Sequence, residues 1–379
     1  MKRLLLSLLL LQASLLCLAA SGVKSGPWVT AAREDALTVL WVSEKPGMAY
    51  VELEDGSVRF ETYAGRRIFR RLHSIRLEGL APGAVVRYRV CGVDLEDDSN
   101  PKDPVFGAAY EGPWRSVRTF DRRDKDCNFS VFNDIHLKTA DYAALAAQVD
   151  SSATDFVFLN GDIASAGNYV LDTLVRYELE PLGSLSAGLP VLFARGNHEG
   201  RGNNVQLISE VFPNEDPAPF YYTFRHGPVA FIVFDAGETG RERSILYSGG
   251  DVYEDYLQEQ LDWAARAVRD PLFRKAPVKV CLLHVPMIDH WNKSDYLLQR
   301  WLNKHFVPLL NKAGVDLMIG ADLHVYMWCK PGTMGNDFPI FVNDDDRRLE
   351  VQCTRDGISL KMFNPDGTLE QQQFCKPRR

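Results

Sequence analysis

Positive charge is in short supply. The 379 residues carry 43 lysines and arginines against 50 aspartates and glutamates, a formal net charge of −7. A nucleic-acid-binding surface needs a basic patch, so none is expected. Small anionic substrates stay open, because a metal or one local arginine reverses the sign at a single site. Cysteine is scarce too, with seven in the chain and no Cys-x-x-Cys spacing. That excludes zinc-ribbon and thioredoxin-like motifs. No internal repeat and no low-complexity tract occurs. Beyond the N-terminus no apolar run approaches the roughly 18 residues of a membrane span. Apolar residues at 46% and charged residues at 25% are ordinary for a globular protein, which excludes disorder, collagen and coiled coil as the main architecture.

The exception to the missing apolar runs is Leu4–Ala20, broken only by Ser7, Gln12 and Ser14. Lys2 and Arg3 precede it, and Ala19, Ala20, Ser21 and Gly22 follow. A charged start, an apolar stretch and a small-residue zone predict a signal peptide over residues 1–22, cleaved after Ala20 or Gly22. The rival reading is an uncleaved membrane anchor. Leu16 before Cys17 excludes a lipobox. The mature chain is thus expected to be secreted or periplasmic, with no stable membrane span. Export permits disulfides among the six remaining cysteines. Cys353 and Cys375 are the expected pair, and Cys281 is expected to be a buried free thiol.

Two patterns follow. From about 27 to 120, short β-like runs appear at Leu37–Val42, Ala49–Leu53, Val58–Thr62, Ser74–Leu80 and Val86–Val93. Val86, Tyr88 and Val90 alternate with arginines and so share one face. Pro46-Gly47, Asp55-Gly56 and Pro82-Gly83 read as turns, and the whole as a β-sandwich. Leu80-Ala-Pro82-Gly83 followed by Tyr88 resembles a corner of fibronectin type III-like domains. Asp121–Asp126 reads as a linker. From about 127 strands and helices alternate, which predicts a largely parallel sheet covered by helices. Strands are expected at Phe129–Phe132, Phe156–Asn160, Val191–Arg195, Val229–Asp235, Val278–Leu283 and Leu317–Ile319. Helices are expected at Ala140–Val149, Tyr169–Leu182, Tyr253–Val268 and Tyr296–Asn311. After 338 the pattern returns to β, at Phe338–Val342, Leu349–Cys353 and Ile358–Phe363.

Polar residues gather just past the strands, where open α/β sheets carry functional groups. The five ends read Asn133-Asp134-Ile-His136, Asn160-Gly161-Asp162, Gly196-Asn197-His198-Glu199, His284-Val-Pro286 and Gly320-Ala-Asp322-Leu-His324. Each alone is weak. Gly-Asp is commonly a turn or helix cap. Gly-Asn-His suits an Asx turn. A lone histidine is more often a hydrogen-bonded core residue. Five such ends at one sheet edge are not expected from independent turns. Carboxylate and imidazole ligands suit iron, manganese and zinc.

Together these blocks, spanning 134 to 324, resemble those of the calcineurin-like metallophosphoesterases. Paired with a fibronectin-like domain, they also resemble purple acid phosphatases and their secreted relatives. The resemblance implies an α/β (α+β) metallophosphoesterase fold, two facing β-sheets flanked by helices, over residues 123–379. An all-β immunoglobulin/fibronectin-like sandwich over 23–122 would precede it, and the late strands would complete the second sheet. It implies two divalent or trivalent metal ions, iron, manganese or zinc. Asp134, His136 and His324 would ligate the first, Asn197 and His284 the second, and Asp162 would bridge them. A hydroxide bridging the metals would attack phosphorus. His198 would protonate the leaving alkoxide or steady the transition state, with Glu199 orienting it. Asn197, His198 and Arg201 would face the substrate phosphate, although Arg201 also reads as an ordinary solvated arginine.

Two departures matter. Ser165 stands where purple acid phosphatases carry a charge-transfer tyrosine, and His136 is retained, so no purple colour is expected. In the last block Asp322 stands where the family pattern Gly-His-x-His has its first histidine. Asp322 either ligates the second metal, favouring harder cations, or points elsewhere. Asp344–Asp346 reads as a solvated acidic loop. The implied activity is hydrolysis of small phosphomonoesters. A phosphodiesterase or nucleotidase is the first alternative, with Tyr221, Tyr222, Phe224, Trp291 and Trp301 as base-stacking candidates against a packing role. A secreted binding protein with a degenerate metal site is the second.

Overall fold

The computed structural model describes residues 22–202, 204–214, 218–238, 252–288 and 297–378. The expected signal peptide and Trp291 lie outside these residues. Contacts divide the chain into two compact units. One takes in the chain up to Pro27, Leu40–Ile75 and Arg87–Arg115, and the other Trp28–Val39, Arg76–Val86 and Ser116 onward.

The N-terminal region is all-β. Its strands are β1 (Val23–Thr30), β2 (Ala36–Leu53), β3 (Val58–Phe60), β4 (Thr62–Tyr63), β5 (Arg66–Arg67), β6 (Arg70–Glu78), β7 (Val85–Asp97), β8 (Val105–Glu111) and β9 (Arg115–Arg118). The order is β1-β2-β7-β8, with β3 and β6 on β2 and β9 on β7. Val86, Tyr88 and Val90 are all buried, as their alternation requires. Two expected strands merge into β2. Pro46 does not turn the chain but sits in its exposed stretch, where a missing N–H breaks no buried ladder. In the first unit Trp41 donates to the Tyr110 hydroxyl at 3.1 Å, and His73 beneath it bridges Ser43 and Glu61.

The second unit holds two mixed sheets. The first contains β10 (Asp126–Phe132), β11 (Phe156–Leu159), β12 (Val191–Phe193), β19 (Arg348–Thr354), β20 (Gly357–Phe363) and β21 (Leu369–Cys375), in the order β12-β11-β10-β19-β20-β21. The second contains β13 (Tyr222–His226), β14 (Val229–Val233), β15 (Val278–Leu282), β16 (Leu317–Gly320), β17 (Met327–Cys329) and β18 (Ile340–Val342), in the order β13-β14-β15-β16-β18-β17. Of the late strands only β18 joins the second sheet in parallel. β19–β21 extend the first as an antiparallel meander. The polar strand β21 (Leu-Glu-Gln-Gln-Gln-Phe-Cys) carries no apolar alternation, because it is an edge with most residues exposed.

Aromatic side chains fill the space between the sheets. Phe129 stacks on Phe156 at 4.8 Å, Phe224 on Phe231 at 4.3 Å, and Phe231 meets Phe129 edge-on at 5.4 Å. Phe224 is therefore core, and Tyr222 spends its hydroxyl on the Phe193 carbonyl, so neither stacks a base. Outside, the helix Tyr253–Ala267 buries Leu257 and Ala264 on the second sheet, as its apolar spacing predicts. Trp301 packs on His305 and Phe306 within the helix Leu297–Ala313.

The expected Cys353–Cys375 disulfide does not form. Cys353 faces Ile358 on β20, and Ile358 faces Cys375 on β21. Two strand spacings of about 4.8 Å separate them, beyond disulfide reach. The six described cysteines, buried Cys281 among them, are free thiols. Phe231→Ala is expected to cost about 3–5 kcal/mol in a urea-unfolding comparison. A loss under about 1 kcal/mol would contradict the shared aromatic core.

Candidate metal centre

Register brings the polar loops to one edge. Phe132 lies beside Leu159, and Leu159 beside Phe193, so β10, β11 and β12 end together. In the other sheet Leu282 lies beside Ile319, and Ile319 beside Phe341. The loops then turn sharply. Asp134, His136, Asp162, Asp322 and His324 all hold left-handed backbone, with φ of 50°, 46°, 54°, 67° and 51°. Such conformations cost non-glycine residues on the order of 1–3 kcal/mol each and cluster at functional sites. Neighbouring loops hold them in place. Asp134 N–H donates to the Gly161 carbonyl at 3.1 Å, and His136 N–H to the Asp162 carbonyl at 3.0 Å. Gly161 has φ +79°, and a Cβ there would lie 2.6 Å from Gly196 Cα and 2.7 Å from the His284 ring. Only glycine lets the three loops close on one another.

The expected ligands converge. His284 Nε2 lies 3.3 Å from Asp162 Oδ2, 3.8 Å from Asp134 Oδ1 and 3.9 Å from Asp322 Oδ1. His136 Nε2 lies 3.7 Å from Asp134 Oδ1 and 3.9 Å from Asp162 Oδ2. His324 Nε2 lies 3.8 Å from Asp134 Oδ1, and His198 Nε2 3.8 Å from Asp162 Oδ2.

Each buried member has one polar atom tied and another bare. Asp134 Oδ2 accepts from Asn133 Nδ2 at 2.8 Å and from Asp322 N–H at 3.1 Å, while Oδ1 has no partner. His284 Nδ1 lies 2.6 Å from the Asn160 carbonyl, to which it must donate, so in the neutral ring the lone pair is on Nε2, which has no hydrogen-bond partner. Asn197 Nδ2 donates to Glu238 Oε1 at 3.0 Å, and its Oδ1 is bare. Asp162 Oδ1 accepts from His198 N–H at 2.9 Å, leaving Oδ2 among the imidazoles. Buried polar atoms are normally satisfied. Asp134, Asp162 and His284 lie within 4.8 Å of one another, as do Asp134, His136 and His324, and such donors suit a cation such as manganese, iron or zinc. The residues therefore fit metal ions. Asp322 is brought beside these residues, with Oδ1 3.9 Å from His284 Nε2.

The electrostatics agree. Burial, reinforced by Asp134 and Asp162, pushes Asp322 up to about 7. Burial also raises Asp134. Burial opposes a charge on Asp162, but His284 and His198 hold it below the usual carboxylate range. Burial likewise opposes a charge on His284, yet Asp162 and Asp134 raise it well above the ordinary imidazole value. A cation would replace those protons.

Several readings change. Arg201 is neither solvated nor free to meet phosphate alone. Its Nε and Nη2 fork onto Glu238 at 2.8 and 3.0 Å, and Nη1 lies 2.9 Å from His198 Nε2. Glu199 acts on backbone: its Oε2 accepts from Asp162 and Gly196 N–H, each at 2.9 Å. Asp345 is not a solvated bystander, since its carboxylate lies 3.6 Å from His324 Nδ1. Asn343 donates to Asn133, which in turn holds Asp134. Of these supporting residues, Asn343 carries no local sequence signal. A separate group, Cys127, Asp155 and His226, also lies within ligand range. There His226 Nδ1 accepts from Asp121 N–H, so Nε2 carries the proton and faces Asp155 at 3.2 Å. That leaves no imidazole lone pair for a metal.

Residues 128–326 match the model of the Calcineurin-like phosphoesterase family. No curated protein sequence matches the chain. Among solved structures the chain is similar to a purple acid phosphatase from yellow lupin (Lupinus luteus) seeds, at 14% identity and a TM-score of 0.65, over 92% of this chain and 73% of that one. It is also similar to the anchor protein of the Plasmodium inner membrane complex, at 14% identity and a TM-score of 0.49, over 68% of this chain and 90% of that one. The lupin structure supports the fold across both the all-β region and the two-sheet unit.

The buried carboxyls predict an unusual pH dependence. Asp322 at about 7 and Glu199, pushed to about 8 by burial and Asp162, keep protons that the unfolded chain has lost. Stability of the metal-stripped protein then falls as pH rises from about 5 to about 8. His136 and His198, lowered by burial, oppose this, but the raised carboxyls Asp134, Glu178, Glu199 and Asp322 outnumber them. Thermal unfolding with and without Mn²⁺ checks it. The melting temperature should drop across that range without metal and recover with it, and a metal-independent rise would contradict the assignment.

Proposed function

Because the chain belongs to the calcineurin-like phosphoesterase family, we propose that it is an exported, metal-dependent phosphomonoesterase. The observation that carries the reading is the convergence of bare ligand atoms at the strand edge. In this reading Asp134, His136 and His324 would hold one cation and Asn197, His284 and Asp322 the other, with Asp162 shared between them. Two cations so placed supply a nucleophile at neutral pH and neutralise phosphoryl oxygens.

The chain's own groups do the rest. Asp162, pinned through Oδ1 by His198 N–H, keeps the two halves of the site at fixed separation. His198 is one-quarter exposed, so its ring reaches bound substrate. Burial lowers its proton affinity, and the Arg201 charge adds to this while Asp162 opposes it. Beside a phosphoryl dianion the ring takes up a proton from solvent, and that proton then passes to the leaving oxygen, a role worth about 10²–10⁴ in rate. Arg201, held 2.9 Å from that ring, steadies the negative charge of the phosphoryl group.

The preference for monoesters over diesters rests on the pairing of an all-β region with the phosphoesterase module. Export rests on the apolar N-terminal run, and iron, manganese or zinc on the donor set. The test is phosphate release from an aryl phosphate with a bis-aryl phosphate in parallel. The monoester should turn over faster. Asp162→Ala should lose both metal uptake and hydrolysis, and His198→Ala should keep its metal while kcat falls about 10²–10⁴-fold. Parent-like hydrolysis by Asp162→Ala would overturn the site assignment.

A further inference from the structure

The loop after β14 supplies none of the proposed ligands, yet it carries a buried carboxylate into the site. Glu238 is 2% exposed. Its Oε1 accepts from Asn197 Nδ2 at 3.0 Å and from Arg201 Nη2 at 3.0 Å, and its Oε2 from Arg201 Nε at 2.8 Å. Arg201 in turn places Nη1 2.9 Å from His198 Nε2. We propose that Glu238 is the positioning residue of this centre: it turns the Asn197 amide so that Oδ1 faces the second cation, and through Arg201 it holds the imidazole of His198. The proposal rests on the metallophosphoesterase reading above and goes beyond its ligand set.

Hydrogen-bond polarity decides which end of the Asn197 amide faces the centre. An asparagine amide is nearly symmetric in shape, and only its oxygen can ligate a metal. Nothing in the covalent structure decides which end faces the centre. A carboxylate accepts and cannot donate, so it captures the NH₂ end and leaves the oxygen for the cation. A buried carboxylate alone is costly, and the bidentate guanidinium offsets that cost. The same carboxylate therefore needs Arg201 for its own burial, which ties the second metal site to the leaving-group side. Partners behind metal ligands act in this way at other centres.

The test compares the full-length parent, Glu238→Ala and Glu238→Gln. Each is stripped of metal and titrated with Mn²⁺ by calorimetry, then assayed on an aryl phosphate. Glu238→Ala should weaken the second equivalent about 10–100-fold while the first stays within about twofold. Glu238→Gln keeps an oxygen for Asn197, so its second equivalent should stay within about threefold of the parent. Its amide group opposes Arg201 Nε–H, so one arm of the fork is lost, the guanidinium is less firmly held and kcat falls about 10-fold or more with the metals in place. A Glu238→Ala protein that binds the second equivalent like the parent overturns the proposal. So does a Glu238→Gln protein that loses it as fully as Glu238→Ala, because charge and not amide orientation would then be responsible. If Glu238→Ala shows no cooperative melt, Glu238→Gln decides: retained second affinity with reduced kcat supports the proposal, and parent-like kcat or lost affinity overturns it. A parent that takes up less than one equivalent removes the underlying reading and this proposal together. A two-equivalent parent with an unaltered Glu238→Ala removes the proposal alone.

Discussion

Bare lone pairs among buried carboxylates are the constraint on which the structure turns. Asp134 and Asp162 are almost fully buried, and Asp322 and Glu238 lie close by. Like charges this close repel strongly in a low-dielectric interior. Of the described cationic side chains, Arg201 is already forked onto Glu238, and Arg195 pairs with Asp235 at 2.7 Å. Protonating His284 and Asp322 is the chain's own partial remedy, and it leaves Asp134 Oδ1 and Asn197 Oδ1 without donors. Cations bound there would answer both needs at once, neutralising the carboxylates and satisfying the bare atoms.

The fold serves that constraint through its strand ends. Parallel strands in register bring loops to one edge, and the loops must turn within one or two residues to aim side chains inward. Left-handed backbone at five of the proposed ligands is the cost of that turn. The Phe129, Phe156, Phe224 and Phe231 cluster between the sheets supplies the packing that offsets it. Gly161 marks how little room remains, since one added carbon would push on both Gly196 and His284. The site is thus built on rigid strands, with its supporting hydrogen bonds drawn from backbone and from Asn133, Asn343 and Glu199.

Much of this was legible in the sequence, for physical reasons. Ligands must sit at strand ends, so Asp134-x-His136, Gly161-Asp162 and Gly196-Asn197-His198 stand beside apolar runs that reveal the strands. The spacing Asp322-x-His324 is kept although the residue type changed, and folding brings Asp322 beside His284. What was not legible depends on tertiary neighbours. Glu238 is one glutamate in an unremarkable loop until folding places it against Asn197. Asp345 and Arg201 look like solvated charges until His324 and His198 arrive beside them. The cysteine pairing failed because proximity in sequence says nothing of β20, which runs between Cys353 and Cys375. Strand β21 was missed because an exposed edge needs no apolar alternation. Pro46 misled because a proline on an exposed stretch of a long strand need not turn it.

The central claim is that this centre is completed by cations. The most direct measurement is the metal content of the purified, reconstituted chain by elemental mass spectrometry, after removal of loosely bound ions. The account predicts about two equivalents of manganese, iron or zinc per chain. Less than about one equivalent would contradict it, because the bare atoms of Asp134, Asn197 and His284 would then be satisfied in some other way.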